Sequence, residues 1–342
     1  MIATSVHPFV RRAQRGLTLI ELMVSMVLGL LLVLGVVSVY VTNQQAARTN
    51  EGLARLQESG RIAFELMSRE LRQAGGNPCG ARLIANVLVN PTTNWYTDFA
   101  AGPVRGFEGN VAAADIVPTG AAVGERVLNT DAVLIMSPNT NDAATVVSHN
   151  PTAASFELST VNHGIADGEV VMVCDNQSAA ITQITNAQSG TNTTIVHNTG
   201  EETPGNCTKG LGYPALCTTN GTPKTFTSGS IVSRLNPGFW YIGNNPRGGR
   251  SLYRASATAR VEVTDGVTDM QLRYLTRNAT SGVVANNWVE ATAITNWSDG
   301  GTDWPVAMRI HLSLASLQAV GTDQQALRRD QVYAVTLRNR VQ

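Results

Sequence analysis

The chain has 342 residues, enough for a sizeable hydrophobic core, with 25 basic and 25 acidic side chains. Its first 16 residues hold three Arg and no acid, so 22 basic and 25 acidic residues remain beyond them. That mildly acidic body excludes the footprint of a basic nucleic-acid-binding domain.

Charged residues make up only 15% of the chain, while Gly, Ala, Thr and Asn are abundant. This composition fits a loop-rich β protein outside the cytoplasm. Four cysteines, an even number, agree with an oxidising compartment.

The N-terminal stretch Arg11-Arg12-Ala13-Gln14-Arg15-Gly16-Leu17-Thr18-Leu19-Ile20-Glu21-Leu22 runs from a basic leader through a glycine into an apolar segment. Residues 22–41 carry no charge and are long enough to span a hydrocarbon core of about 30 Å. A secretory signal peptide has a shorter apolar core and a small-residue cleavage site after it. Arg11, Arg12 and Arg15 place the leader on the cytoplasmic side by the positive-inside rule, and the rest of the chain in the periplasm. A lone carboxylate in a membrane-length run costs on the order of 2.5–3.5 kcal/mol at the bilayer centre. Glu21 therefore calls for a positive partner. The nearest is an amino terminus created by cutting between Gly16 and Leu17.

Residues 17 to 74 read as one long helix, about 85 Å in length. Gly29 and Gly35 interrupt its apolar half, where small residues allow close helix approach. From Thr42 the character changes. Leu53, Leu56, Ala63, Met67 and Leu71 recur at near-helical spacing with Phe64 beside them, a stripe that predicts packing on the protein's own globular part. Glu51 with Arg55, and Glu65 with Arg69, stand four apart with the acid first, marking an exposed face. Ala74-Gly75-Gly76-Asn77-Pro78 stops the helix, glycine by its left-handed conformation and proline by its missing N–H.

Beyond Cys79 the texture is β. The run from Val127 to Met136 holds a short buried strand, and Glu169-Val170-Val171-Met172-Val173-Cys174 is another. Ile181-Thr182-Gln183-Ile184 alternates. Arg260-Val261-Glu262-Val263 and Met270-Gln271-Leu272-Arg273-Tyr274 are two extended segments around the turn Thr264-Asp265-Gly266. Val306 through Leu314 alternates cleanly, and so does Tyr333-Ala334-Val335-Thr336-Leu337. These alternations predict an antiparallel sheet with one face packed against the amphipathic half of the helix. The fold class is α+β: a long N-terminal helix, membrane-spanning in its first half, packed on an antiparallel β-rich globular domain. No internal repeat is present.

Chemistry-bearing constellations are sparse. Four cysteines allow three pairings. Cys207–Cys217 is favoured because a short loop closes at little entropic cost, which leaves Cys79–Cys174. With no CxxC pair and no His cluster beside them, the cysteines predict no metal site. His149, His163, His197 and His311 stand singly, without HExxH spacing. Asp299-Gly300-Gly301-Thr302-Asp303 lacks the oxygen count of a calcium loop and reads as a turn. Trp288, Trp297 and Trp304 cluster in sequence and predict core packing ahead of an exposed surface. No Walker loop, GxGxxG after a strand, or GxSxG is found, so no catalytic residue and no cofactor is expected.

The basic leader, Gly16, Thr-Leu-Ile-Glu-Leu and unbroken apolar run together resemble the class III signal of type IV prepilins and pseudopilins. The resemblance implies a leader over residues 1–16, cut after Gly16 by a prepilin peptidase that N-methylates Leu17. Many pilins have Phe at that position. It also implies that Glu21 pairs with the free amine of a neighbouring subunit during assembly. Residues 17–41 would then form the transmembrane and filament-core half of the helix, 42–75 its amphipathic half, and 76–342 a periplasmic globular domain.

Further segments are similar to the PilW family of minor pilins. They are Leu56-Gln57-Glu58-Ser59-Gly60-Arg61 with Leu71-Arg72-Gln73-Ala74-Gly75, and Trp240-Tyr241-Ile242-Gly243-Asn244 with Ser251-Leu252-Tyr253-Arg254. The stretch from Val263 to Tyr274, Val306-Ala307-Met308-Arg309-Ile310, Arg328-Arg329 and Leu337-Arg338-Asn339-Arg340 complete the set. Residues 80–230 match poorly. This likeness implies a minor pilin that primes pilus assembly near the filament tip and supports adhesin display, adhesion and twitching motility. Its implied partners are other minor pilins, the major pilin, the peptidase, the assembly platform and a tip adhesin, with the inner membrane as host before assembly. The alternatives are a type II secretion minor pseudopilin and an adhesive or DNA-binding surface module. For the latter, Arg247, Arg250 and Arg254 form only a weak basic group, and no nucleic acid is expected as a partner.

Overall fold

The structure is a computed structural model that describes residues 16–200, 203–298, 303–321 and 325–340. The basic residues Arg11, Arg12 and Arg15 and turn residues 299–302 lie outside the described residues.

A single helix, Leu19–Gln73, runs for 55 residues, about 82 Å. Among the described residues nothing packs on its apolar segment, residues 19–41, where Gly29 and Gly35 face open space. Its second half buries Leu56, Gly60, Ala63, Met67, Glu70 and Leu71, a one-sided stripe at helical spacing. Leu53, expected in that stripe, stays exposed, although Gly52 beside it packs on Val320 and Leu327 and Thr49 donates to Val320 O at 2.6 Å. On the solvent side Glu51 pairs with Arg55 at 2.7 Å. Glu65 pairs with Arg61 at 3.4 Å instead of Arg69, because Arg61 lies between Glu58 and Glu65 and reaches both. The helix ends where Ala74 turns extended and Gly75 takes a positive φ of 68°, its N–H donating to Met136 O at 3.0 Å.

The stripe packs on a three-stranded antiparallel sheet, Val267–Asn278, Asp303–Ala315 and Arg328–Thr336 in that order. Alternate residues Met270, Leu272, Tyr274, Met308, Ile310, Leu312 and Leu314 point into the shared core, as the sequence alternation predicts. Phe64 of the helix stacks on Tyr333 with centroids 4.1 Å apart. Fully burying side chains such as Met67 and Leu71 stabilises the docking by roughly 1.5–3 kcal/mol each.

A five-stranded antiparallel sheet continues this core. Its order is Arg260–Asp265, Arg250–Ala255, Gly238–Asn244, Ala132–Ile135, Val104–Phe107. Trp240, Ile242 and Leu252 face the helix side, while Phe239, Tyr241 and Tyr253 face a second core. The two extended segments around Gly266 therefore belong to different sheets. Gly266, at φ 75°, lets the chain leave one sheet and enter the next.

The third sheet has eight strands. Leu83–Asn86 lies parallel to Ser178–Gln183; then follow Val170–Cys174, Ile231–Leu235, Pro138–Asn150, Ser155–Leu158, Thr194–Val196 and Asn186–Ala187, all antiparallel. Ser178–Gln183 is buried along its whole length, not alternately, because cores cover both of its faces.

Candidate functional site

The region that points to function is the exposed start of the helix. Thr18 is its N-cap in extended conformation. The Glu21 N–H donates to Thr18 Oγ1 at 3.2 Å, and the Thr18 N–H reaches back to Glu21 Oε2 at 3.5 Å. This reciprocal capping box satisfies helix N–H groups that have no partner in the helix. It also sets the carboxylate at the positive end of the helix dipole. Ser25 Oγ donates to Glu21 O at 2.7 Å, absorbing a hydroxyl that would otherwise be bare in an apolar setting.

Gly16 and Leu17 precede the cap and are exposed. Beyond it Ile20, Met23, Val24, Val27 and Leu28 form a bare apolar surface. Among the described residues this is the one helix long and apolar enough to cross a membrane. A carboxylate held at the head of such a rod can accept a cationic partner, and the rod can bury itself in lipid or among other helices. The capping role of Thr18 was missed in the sequence reading, although the spacing Thr18-Leu19-Ile20-Glu21 carries the capping-box signature.

The other singled-out residues lie far from this end. Cys79 bonds Cys174, and Cys207 bonds Cys217. The three arginines are dispersed: Arg247 pairs with Glu262, Arg250 donates to Thr268 O, and Arg254 bonds Glu70. Trp297 and Trp304 are half-buried, Trp297 edge-on to Tyr274. Trp288 lies over the Arg309 guanidinium, at the edge of a sheet and not in a core. His149 and His197, read as isolated, meet with Nε2 atoms 3.2 Å apart. Strand pairing joins them across 48 residues, which spacing alone does not reveal. Among the described residues no group of three or more His, Cys, Asp or Glu gathers as a metal site.

A family model described as the prokaryotic N-terminal methylation motif matches residues 11–37. No curated protein and no solved structure matches the chain. The motif, of the type IV prepilin kind, supports processing by prepilin peptidase, and with the apolar helix it supports membrane anchoring followed by pilus assembly. Motif, helix and antiparallel β-rich domain are together in keeping with a type IV pilin-like protein, a likeness that the family model carries over residues 11–37.

Proposed function

We propose that this chain is a minor pilin that helps prime type IV pilus assembly and is incorporated at or near the filament tip. The observation that carries this reading is the helix half with no packing partner among the described residues, headed by Glu21 and coincident with the methylation motif. The precursor is held in the inner membrane with its leader cytoplasmic and its globular domain, residues 76–342, periplasmic. Cleavage after Gly16 frees the amine of Leu17. During assembly the apolar helix leaves lipid for a helical bundle, an exchange between two similarly apolar surroundings. Glu21 and an adjacent subunit's amine neutralise each other there, where an unpaired charge is costly. Other minor pilins and the major pilin are its neighbours, the assembly platform its motor, and a tip adhesin its cargo. The C-terminal segments similar to PilW support the pilus over the secretion pseudopilus.

The test is the amount of major pilin sheared from cells lacking this gene, with and without complementation. The expected result is lost surface pili with intact protein secretion. Intact pili with blocked secretion overturns it in favour of a type II secretion pseudopilin.

A further inference from the structure

The three-stranded sheet has one covered edge and one bare edge. On the outer side of Val267–Asn278, Tyr274 exchanges both backbone bonds with Val289, and Asn278 N–H donates to Val283 O at 2.9 Å. The opposite edge, Arg328–Thr336, has no such cover. Leu337 N–H donates to Val306 O at 2.8 Å and Ser316 N–H to Leu327 O at 2.9 Å, and the pairing between these points runs without a shift of register. Odd-numbered residues of the strand therefore bond inward. The N–H and C=O groups of Arg328, Asp330, Val332, Ala334 and Thr336 point outward, and among the described residues none of them has a partner.

An edge of nine residues, about 30 Å long, is a template for a further strand. It has no proline, no lysine and no bulge to blunt it, and residues 331–336 are uncharged. Val332 stands 60% exposed on its outer face.

The charges around this edge select what can add to it. Asp330 already accepts from Ser313 Oγ at 2.7 Å and lies 3.6 Å from His311. On the helix alongside, Glu58 and Glu65 both engage Arg61. Arg328 and Arg329 open the strand; Arg338 follows it, near Arg72, whose carbonyl accepts from Asn339 at 3.4 Å. These four arginines are exposed and form no ion pair among the described residues. Both ends of the edge therefore carry unspent positive charge, and the middle carries none.

A second copy does not fit. The strand runs in the same direction as the helix, since Gly60 meets Gln331, Phe64 stacks on Tyr333 and Gly76 meets Asn339. Antiparallel pairing of two such edges points their helices in opposite directions, which two chains anchored in one membrane do not allow. That step rests on the membrane role of residues 19–41; the edge and its charges do not. Nucleic acid engages arginines and leaves the outward amides and Val332 unused. We propose that Arg328–Thr336 is a docking edge to which an acidic extended segment of a partner protein adds as a fourth strand. Main-chain bonds hold the uncharged middle of the segment, and its acids meet the arginines at the two ends.

The test is fluorescence anisotropy and amide hydrogen exchange on the purified full chain in detergent, so its failure leaves the assembly role standing. The probe is a peptide of alternating Thr and Val flanked at both ends by Asp and Glu. A Lys-flanked counterpart and a double-stranded DNA oligonucleotide are compared with it. The acidic peptide binds with a Kd tighter than about 100 μM, at least tenfold tighter than the Lys-flanked one, and slows exchange in residues 328–336. Ala334→Pro removes an outward N–H that the sheet does not use, a change that edge strands tolerate, and abolishes binding. Arg328→Glu with Arg329→Glu shifts the preference toward the Lys-flanked peptide by tenfold or more, and decides alone if the proline lowers the melting temperature. No binding, equal binding of the two peptides, or unchanged exchange overturns the proposal. So does DNA bound more tightly than the peptide and retained by Ala334→Pro.

Discussion

The Glu70 carboxylate, on the helix, accepts the indole N–H of Trp240 at 2.8 Å across 170 residues of chain. Its other oxygen accepts from Arg254 Nε at 2.8 Å, and Arg254 continues to Asn236. Glu70 is 7% exposed, so this network joins helix and sheet in a poorly solvated place. Glu70→Ala strands a guanidinium and an indole N–H and is expected to cost about 3–5 kcal/mol. Glu70→Gln keeps an acceptor and costs less. Urea denaturation of both variants checks the order; equal losses overturn the charge argument.

Gly106 and Tyr274 form a second close pair. A Cβ at Gly106 would stand 2.3 Å from Tyr274 Oη, a hydroxyl that is buried without a partner. Gly106→Ala is expected to destabilise by about 1–3 kcal/mol through overpacking. Tyr274→Phe alone is near neutral, since it removes an unsatisfied group. The double variant recovers part of the loss. A double-mutant cycle with coupling below about 0.5 kcal/mol would falsify the clash.

Asp131 is 2% exposed and accepts from Leu272 N–H at 2.7 Å. Burial first, and then the neighbouring Glu108, push it up to about 6 against the pull of backbone N–H groups. Arg126 makes no hydrogen bond to it, because its donors go to the carbonyls of Phe107, Glu108, Val111 and Thr130. The native state therefore keeps a proton that the unfolded chain loses near pH 4. Its contribution to stability declines as pH rises from about 4 to about 6. Asp131→Asn mimics the protonated form, so its advantage over the parent grows from pH 4 to pH 7. Thermal melts across that range measure it, and a constant difference sinks the idea.

The imidazole pair acts in the opposite direction. Phe226 N–H donates to His149 Nδ1 at 3.1 Å, which assigns the His149 proton to Nε2 and makes His197 Nε2 its acceptor. Burial pushes His149 down to about 4, and burial with the His149 charge pushes His197 down to about 3. Both folded values lie below the unfolded value near 6.5. The stability they confer is present above pH 6.5 and is lost as pH falls toward 3–4. His149→Gln is expected to lose less stability than the parent between pH 7 and pH 4.5. An unchanged acid slope would count against the neutral pair.

For the helix end, Glu21→Ala is expected to leave a processed, membrane-inserted protein that enters filaments poorly. Immunoblots of sheared and membrane fractions read both steps. Normal incorporation of the variant removes Glu21 from assembly.

The long helix was legible because its signals are local: Gly16, Glu21, the uncharged run and the stop at Gly75. The last strands were legible too, since residues 306–314 alternate without interruption. Ser178–Gln183 misled because a strand covered on both faces has no polar side to reveal its period. The strands of the region 80–230 are mostly two to six residues long, and their partners lie far away in sequence, so neither propensity nor spacing orders them. Glu70 carries no local sign of burial in the sequence. Only Trp240 and Arg254, brought from another sheet, make it an interior group.

The bond between Cys79 and Cys174 has a mechanical consequence. It joins the segment just beyond the helix to a central strand of the eight-stranded sheet, across a sequence separation of 95 residues. Tension entering along the helix passes from Cys79 straight to Cys174 through a covalent strap. The intervening chain, about 320 Å of contour, is shielded from extension. Under load, stretching is left to the strands after Cys174 and to the helix–sheet contact, so the domain yields first where the helix lifts from its sheet.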